Sequence, residues 1–161
     1  MRLNKYQDSL LVLPEDDANR QLAVGFSVNL NVKENAIQVL NEVGGWSKAV
    51  DSLEKTYSHI LRKYTKMRIV LLIDFDQRDD RLAYVQQRIP DELRDRVFIL
   101  GVQSEPERLK ASLRKGLEAI GESMADDCAN DTDEIWGHVL LNHNRAELAR
   151  MIRTVKPFLL E

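Results

Sequence analysis

Residues 68–76 read Arg-Ile-Val-Leu-Leu-Ile-Asp-Phe-Asp, and this stretch decides the fold. From Ile69 to Ile73 every residue is β-branched or leucine, with no polar position among them. A strand wet on one face alternates apolar with polar residues. An unbroken apolar run therefore predicts a strand covered on both faces, and so a central strand of a parallel sheet. The run ends at Asp74 and Asp76. Side chains two apart on an extended chain point the same way, so the two carboxylates share a side. Carboxylates that close repel unless positive charge lies between them. A hard divalent cation, Mg²⁺ or Mn²⁺, supplies it, and Mg²⁺ typically needs only one or two protein carboxylates. The competing explanation is a pair of solvated acids at a strand end.

The same grammar repeats on either side. Residues 9–13 (SLLVL) predict a strand that stops at Pro14-Glu15-Asp16-Asp17. A helix follows from about Asp17 to Phe26, with Asp16 or Asp17 as cap and Leu22, Ala23 and Phe26 facing inward. Residues 36–40 (AIQVL) suit a second strand, closed by the turn Gly44-Gly45. Ser47 is placed to cap a helix in which Val50, Leu53, Tyr57, Ile60, Leu61 and Tyr64 keep three-four spacing. A helix over Asp80 to Arg88 leads to a fourth strand at 96–102 (RVFILGV). Beyond it the pattern turns helical, at 105–121, 132–142 and 145–156. Ala125–Glu134 is acidic and predicts an exposed loop carrying Cys128. Ser104–Glu107 and Asn144–Glu147 have capping-box spacing.

Strands alternating with helices through residue 103 predict an α/β fold: a parallel four-stranded sheet flanked by helices, followed by C-terminal helices. We expect a single domain over 1–161, with an α/β core at 1–103 and a helical extension at 104–161. Functional groups in such sheets gather beyond the carboxyl ends of the strands. Glu15 ends the first strand, and neighbouring parallel strands would bring it towards Asp74 and Asp76.

Composition narrows the classes. The chain has 161 residues, 43% hydrophobic and 30% charged, which is ordinary for a soluble globular protein with room for one core. No apolar run reaches the length of a membrane span, and the N-terminal stretch lacks signal-peptide features, so a cytoplasmic protein is expected. One cysteine, Cys128, excludes an intrachain disulfide and a cysteine-based zinc site. The formal net charge of −3 argues against a globally basic nucleic-acid binder and leaves a local patch or a bound cation. The densest basic cluster is Arg62, Lys63, Lys66 and Arg68, at a helix end where the helix dipole favours cations anyway. His138 and His143 are five apart and would occupy different faces of a helix. Trp136, Val139 and Leu140 are better explained as core or interface.

The order strand–Glu15–helix–strand–Gly44-Gly45–helix–strand–Asp74-x-Asp76 resembles the Toprim domain of topoisomerases, bacterial primases, small ribosomal-RNA maturases and overcoming-lysogenization-defect (OLD) nucleases. The resemblance covers about residues 8–103. It implies a Rossmann-like fold in which Asp74 and Asp76 hold Mg²⁺ or Mn²⁺. It implies that Glu15 either joins them as a ligand or serves as acid/base in phosphodiester chemistry on DNA or RNA. Two positions depart from the pattern. Asp16 stands where glycine often follows the glutamate, and Asn19 stands where OLD-type domains carry an aspartate. The second departure points to one cation rather than two. Those domains also carry a serine and a glutamate as ligands near Ser104, Glu105 and Glu107, with Lys110 a turn beyond, although helix capping explains that spacing better. The expected activity is that of a metal-dependent nuclease. The alternatives are a non-catalytic module, as a homodimer or a subunit of a DNA defence or repair assembly, docking through C-terminal helices with Trp136 and Phe158. A receiver-like signalling domain, with Asp74 as phosphate acceptor, fits less well, because the acidic positions lie too far apart and no lysine is evident after a fifth strand.

Overall fold

The computed structural model describes residues 3–160. In chain order its elements are β1 (Ser9–Pro14), α1 (Asp17–Ser27), β2 (Ile37–Val39), α2 (Trp46–Ser52), α3 (Ser58–Lys63), β3 (Met67–Leu72), α4 (Arg81–Gln87), β4 (Val97–Leu100), α5 (Pro106–Leu113), α6 (Leu117–Asn130) and α7 (Arg145–Leu159). A single π-helical turn, Leu53–Tyr57, joins α2 to α3. The four strands form one parallel sheet in the order β2-β1-β3-β4, as the apolar runs imply.

The period of two along each strand divides the interior into two cores. Leu10, Val12, Val70, Leu72, Phe98 and Leu100 pack on one face against α1, α6 and α7. Leu11, Leu13, Ile69, Leu71, Val97 and Ile99 pack on the other against α2, α3 and α4. Both faces are dry, which is why these strands show no polar alternation. The chain leaves β1 in one direction to make β2, then returns past β1 to make β3. Right-handed crossovers place the connecting helices on opposite faces. That reversal opens a crevice between the carboxyl ends of β1 and β3, where open α/β sheets bind ligands.

The C-terminal helices complete the first core rather than standing apart from it. Ile120, Met124, Met151 and Val155 belong to the same cluster as the strands. Helices α1 and α6 touch backbone to backbone: a Cβ at Gly25 would lie 1.9 Å from the Glu118 carbonyl oxygen, and one at Gly121 would lie 2.0 Å from that of Leu22.

Several local expectations are corrected. The helix expected at 105–121 is broken by Arg114, in the left-handed conformation with φ 54°, and by Gly116, so that α5 and α6 are separate. Helix α6 then runs to Asn130, so the expected loop at Ala125–Glu134 is half helix, with Ala125, Asp127 and Cys128 buried. The reason is Asp127. Its carboxylate accepts from the Thr132 hydroxyl at 2.7 Å and from the backbone N–H groups of Glu134, Ile135 and Trp136 at 3.2, 2.7 and 3.1 Å. Burial pushes the Cys128 thiol up to about 12, so it is no nucleophile.

The helix expected at 132–142 is a series of turns ending in one 3-10 turn, Asn142–Asn144. Trp136 is buried, and its indole N–H donates to the Met124 carbonyl at 3.1 Å, which removes it from any docking face. Val139, by contrast, is exposed. Neither capping box forms. Helix α5 is capped at Glu105 with no side-chain bond, and the side chains of Asn144 and Glu147 reach β4 instead. Helix α2 begins at Trp46, directly after Gly45 rather than at Ser47.

Candidate metal centre

The centre is built at the crevice between β1 and β3. The Glu15 N–H donates to the Leu72 carbonyl at 3.0 Å, which carries the β1–β3 ladder one residue past β1. The Glu15 carbonyl accepts from the N–H groups of Gly44 and Gly45 at 2.8 and 2.9 Å. Those glycines have φ of 89° and 143°, a region that L side chains rarely enter, so the turn can bring both N–H groups to one oxygen. The Glu15 side chain is buried, and its Oε1 accepts from the Asp74 N–H. Glu15 is thus held by backbone from β3 and from the glycine turn.

Asp74 sits just past β3. Pairing with β4 continues beyond it, since Ile73 and Phe75 donate to Leu100 and Val102 at 3.0 and 3.1 Å. Asp16 is the N-cap of α1, and its Oδ1 accepts from the Asn19 N–H at 3.0 Å. The Asn19 side-chain amide bridges the two acids. Its Nδ2 donates to Asp16 Oδ1 and to Asp74 Oδ1, both at 2.9 Å. Asn19 is 0% exposed, and its Oδ1 has no hydrogen-bond partner. An orphaned buried acceptor beside three carboxylates marks a polar site with unused ligand capacity.

Oxygens of Glu15, Asp16 and Asp74 all lie within 4.8 Å of one another, and among the described residues this is the acidic group that could hold a metal ion. Mg²⁺–oxygen bonds of about 2.1 Å put opposite ligands about 4.2 Å apart, and Ca²⁺–oxygen bonds put them about 4.6–5.2 Å apart. The cluster therefore fits a hard divalent cation with little adjustment. The donor set fits too, being all oxygen.

Asp76 stands outside this group. The chain turns through two left-handed residues, Asp76 at φ 49° and Gln77 at φ 59°, so alternation along an extended strand stops applying at Phe75. The Asp76 carboxylate accepts from Arg81 Nη1 at 2.7 Å. The same Nη1 donates to the Asp74 carbonyl at 2.6 Å, and the guanidinium lies 4.2 Å from the centroid of the Trp46 ring. Arg81 is buried, so the centre has one built-in cation. Sequence reasoning missed Arg81, Asn19 as a bridge, and Asp16 as a candidate ligand. The only available signal was that each lies within a few residues of Glu15 or Asp76.

Negative charge crowds the site. Burial raises the Glu15 pKa, opposed by the Asp74 N–H, with Asp16 and Asp76 pushing further upward and Arg81 downward. Burial likewise raises Asp74 to about 7, opposed by the Asn19 amide and assisted by Glu15, Asp16 and Asp76. Two carboxyls that resist ionisation can be relieved by a proton or by a cation.

The remaining candidates lie elsewhere. Ser104 is buried in the loop between β4 and α5 with no partner for its hydroxyl, whereas Glu105, Glu107 and Lys110 are exposed. His138 bonds Ser112 at 2.9 Å and His143 packs edge-on to Phe75 at 5.0 Å, so the two histidines share no site. Arg62 and Lys63 fall in the last turn of α3, where the dipole favours them. No protein-family model, curated protein or solved structure matches the chain. No helix among the described residues is long and apolar enough to cross a membrane.

Proposed function

We propose that this chain is a Toprim-like domain whose acidic centre holds one divalent cation, Mg²⁺ or Mn²⁺, and acts on the phosphodiester backbone of DNA or RNA. The observation that carries the proposal is the convergence of Glu15, Asp16 and Asp74 within 4.8 Å at the crevice between β1 and β3. The order of the elements and the Gly44-Gly45 support under Glu15 agree with it. Asp74, Asp16 and Glu15 would hold the ion, while Asp76 stays with Arg81. A bound divalent cation would polarise a phosphoryl oxygen and acidify a water.

The chain's own residues do the rest. Asn19 fixes the Asp16 and Asp74 carboxylates relative to each other, as outer-shell partners do at metal sites. Arg81 locks the turn that follows Asp74. Burial raises the Glu15 pKa, which favours its holding a proton in acid/base steps. With Asn19 at the fourth position after Glu15, a second cation lacks its carboxylate, and the proposal is for a one-metal centre.

The experiment is a cleavage assay on single- and double-stranded DNA and RNA with Mg²⁺ or Mn²⁺. Wild type is expected to cut at least one substrate, and Glu15→Ala to lose about a hundredfold or more in rate. Cation binding without cleavage would assign the chain to the non-catalytic class. Absence of cation binding would overturn the metal centre and leave only the non-catalytic class.

A further inference from the structure

The amino-terminal end of the sheet, opposite the acidic centre, has a different chemistry. Tyr6 precedes β1 and Tyr64 precedes β3, and their rings meet edge to face with centroids 5.5 Å apart. Tyr6 is 76% exposed. It is nonetheless held in place, because its N–H donates to Asn4 Oδ1 at 3.0 Å and the next N–H, that of Gln7, donates to the Asn4 carbonyl at 3.3 Å. A ring left in water on a tied backbone offers its face to a ligand at little cost in ordering.

Cations surround this pair. Lys5 Nζ and Lys63 Nζ lie 5.3 and 5.5 Å from the centroid of the Tyr64 ring, and Lys66 is exposed two residues further on. Arg62 and Arg68 are already engaged by Glu92 and Asp8. Lys5, Lys63 and Lys66 pair with no carboxylate among the described residues. Beside them opens a polar cleft of about 350 Å³, whose walls include Asn4, Gln7, Asp8, Asn35 and Lys66. In a chain of net charge −3, three lysines without a carboxylate partner stand here beside one exposed and one half-buried tyrosine.

We propose that the exposed ring of Tyr6, backed by the half-buried Tyr64 and flanked by Lys5, Lys63 and Lys66, forms a binding site for single-stranded nucleic acid. Aromatic faces take unstacked bases and lysines track the phosphates, the combination used by sequence-tolerant single-strand binders. Paired bases in a duplex present no free face to the rings, so the duplex is disfavoured. The site shares no residue with the acidic centre. From Met67 to Asp74 the chain advances about 23 Å at ~3.3 Å per residue. At ~3.4 Å per stacked nucleotide, a strand must run about seven nucleotides to span from one site to the other.

The test is fluorescence anisotropy of the full chain with a labelled 12-nucleotide oligothymidine and with a 12-base-pair duplex, in EDTA so that the acidic centre stays without cation. Single strand is expected to bind more tightly than duplex. Tyr6→Ala should weaken it about tenfold, while Tyr6→Phe, which keeps the ring face, should bind as wild type does. The triple variant Lys5→Ala/Lys63→Ala/Lys66→Ala should lower the slope of log affinity against log salt by about 2, at ~0.7 per phosphate contact. Circular dichroism confirms that each variant is folded. The proposal is overturned if wild type binds neither oligonucleotide, if duplex binds better, if Tyr6→Ala is silent, or if poly-glutamate competes as well as oligothymidine. Asp74→Asn should bind the strand like wild type in EDTA. If it does not, the strand sits at the acidic centre, and this second site is rejected without touching the cation proposal.

Discussion

Asp74 shows how one carboxyl can oppose folding and serve a site. Its pKa rises from an ordinary 3.8 to about 7 because burial and three neighbouring acids disfavour its charge. The folded state therefore binds the Asp74 proton more tightly than the unfolded chain does. Stability from this group is complete below about pH 4 and is lost as pH climbs towards 7. Asp74→Asn keeps the hydrogen bond from Asn19 and removes the charge. At pH 8 and without divalent cation, that variant should be more stable than wild type by on the order of 1–2 kcal/mol, after allowance for solvent screening. The gain should vanish near pH 4. Urea unfolding of both proteins at the two pH values in EDTA measures it, and equal stabilities at pH 8 would remove the strain assigned to this group.

Among the elements, α7 contributes most that the sequence conceals. Strand β4 is an edge, and an edge strand leaves a row of N–H and C=O groups unpaired. Three side chains of the α7 region, one turn apart, satisfy that row. The Asn144 amide donates to the Gly101 carbonyl at 2.9 Å and accepts from its N–H at 3.2 Å. Glu147 accepts from the Ile99 N–H at 2.9 Å, and Arg150 donates to the Val97 carbonyl at 2.6 Å. The helix thus stands in for a fifth strand. Glu147→Ala should cost about 2–3 kcal/mol, since it orphans a buried N–H and unpairs Arg150, and should speed hydrogen exchange at Ile99. Glu147→Gln should cost about half as much.

These polar residues explain where the sequence was legible and where it was not. Strands announce themselves through runs such as Ile69–Ile73, because burial on two faces is written in residue type. The inward turn of Asp127, Asn144 or Glu147 depends on which N–H groups tertiary structure leaves waiting, and spacing alone assigns such residues to loops or caps. Asp76 departs from its expected place for a third reason. Its alternation with Asp74 holds only while the chain stays extended, and two left-handed residues end that at once.

At the scale of the whole molecule, three acids converge at the carboxyl end of the sheet, and Lys5 and Lys63 flank a tyrosine pair at its amino end. Topology puts Glu15, Asp16 and Asp74 together, because the crevice lies where the strand order reverses. The most direct test is calorimetric titration of Mn²⁺ into the full chain at pH 8, with Asp74→Asn, Asp16→Asn and Asp76→Asn alongside wild type. One ion per chain is expected, with affinity falling by about tenfold or more (1.4 kcal/mol) in the first two variants and staying within about twofold in Asp76→Asn. Absence of binding by wild type, or equal affinity in wild type and Asp74→Asn, would contradict the assignment of this cluster as a cation site.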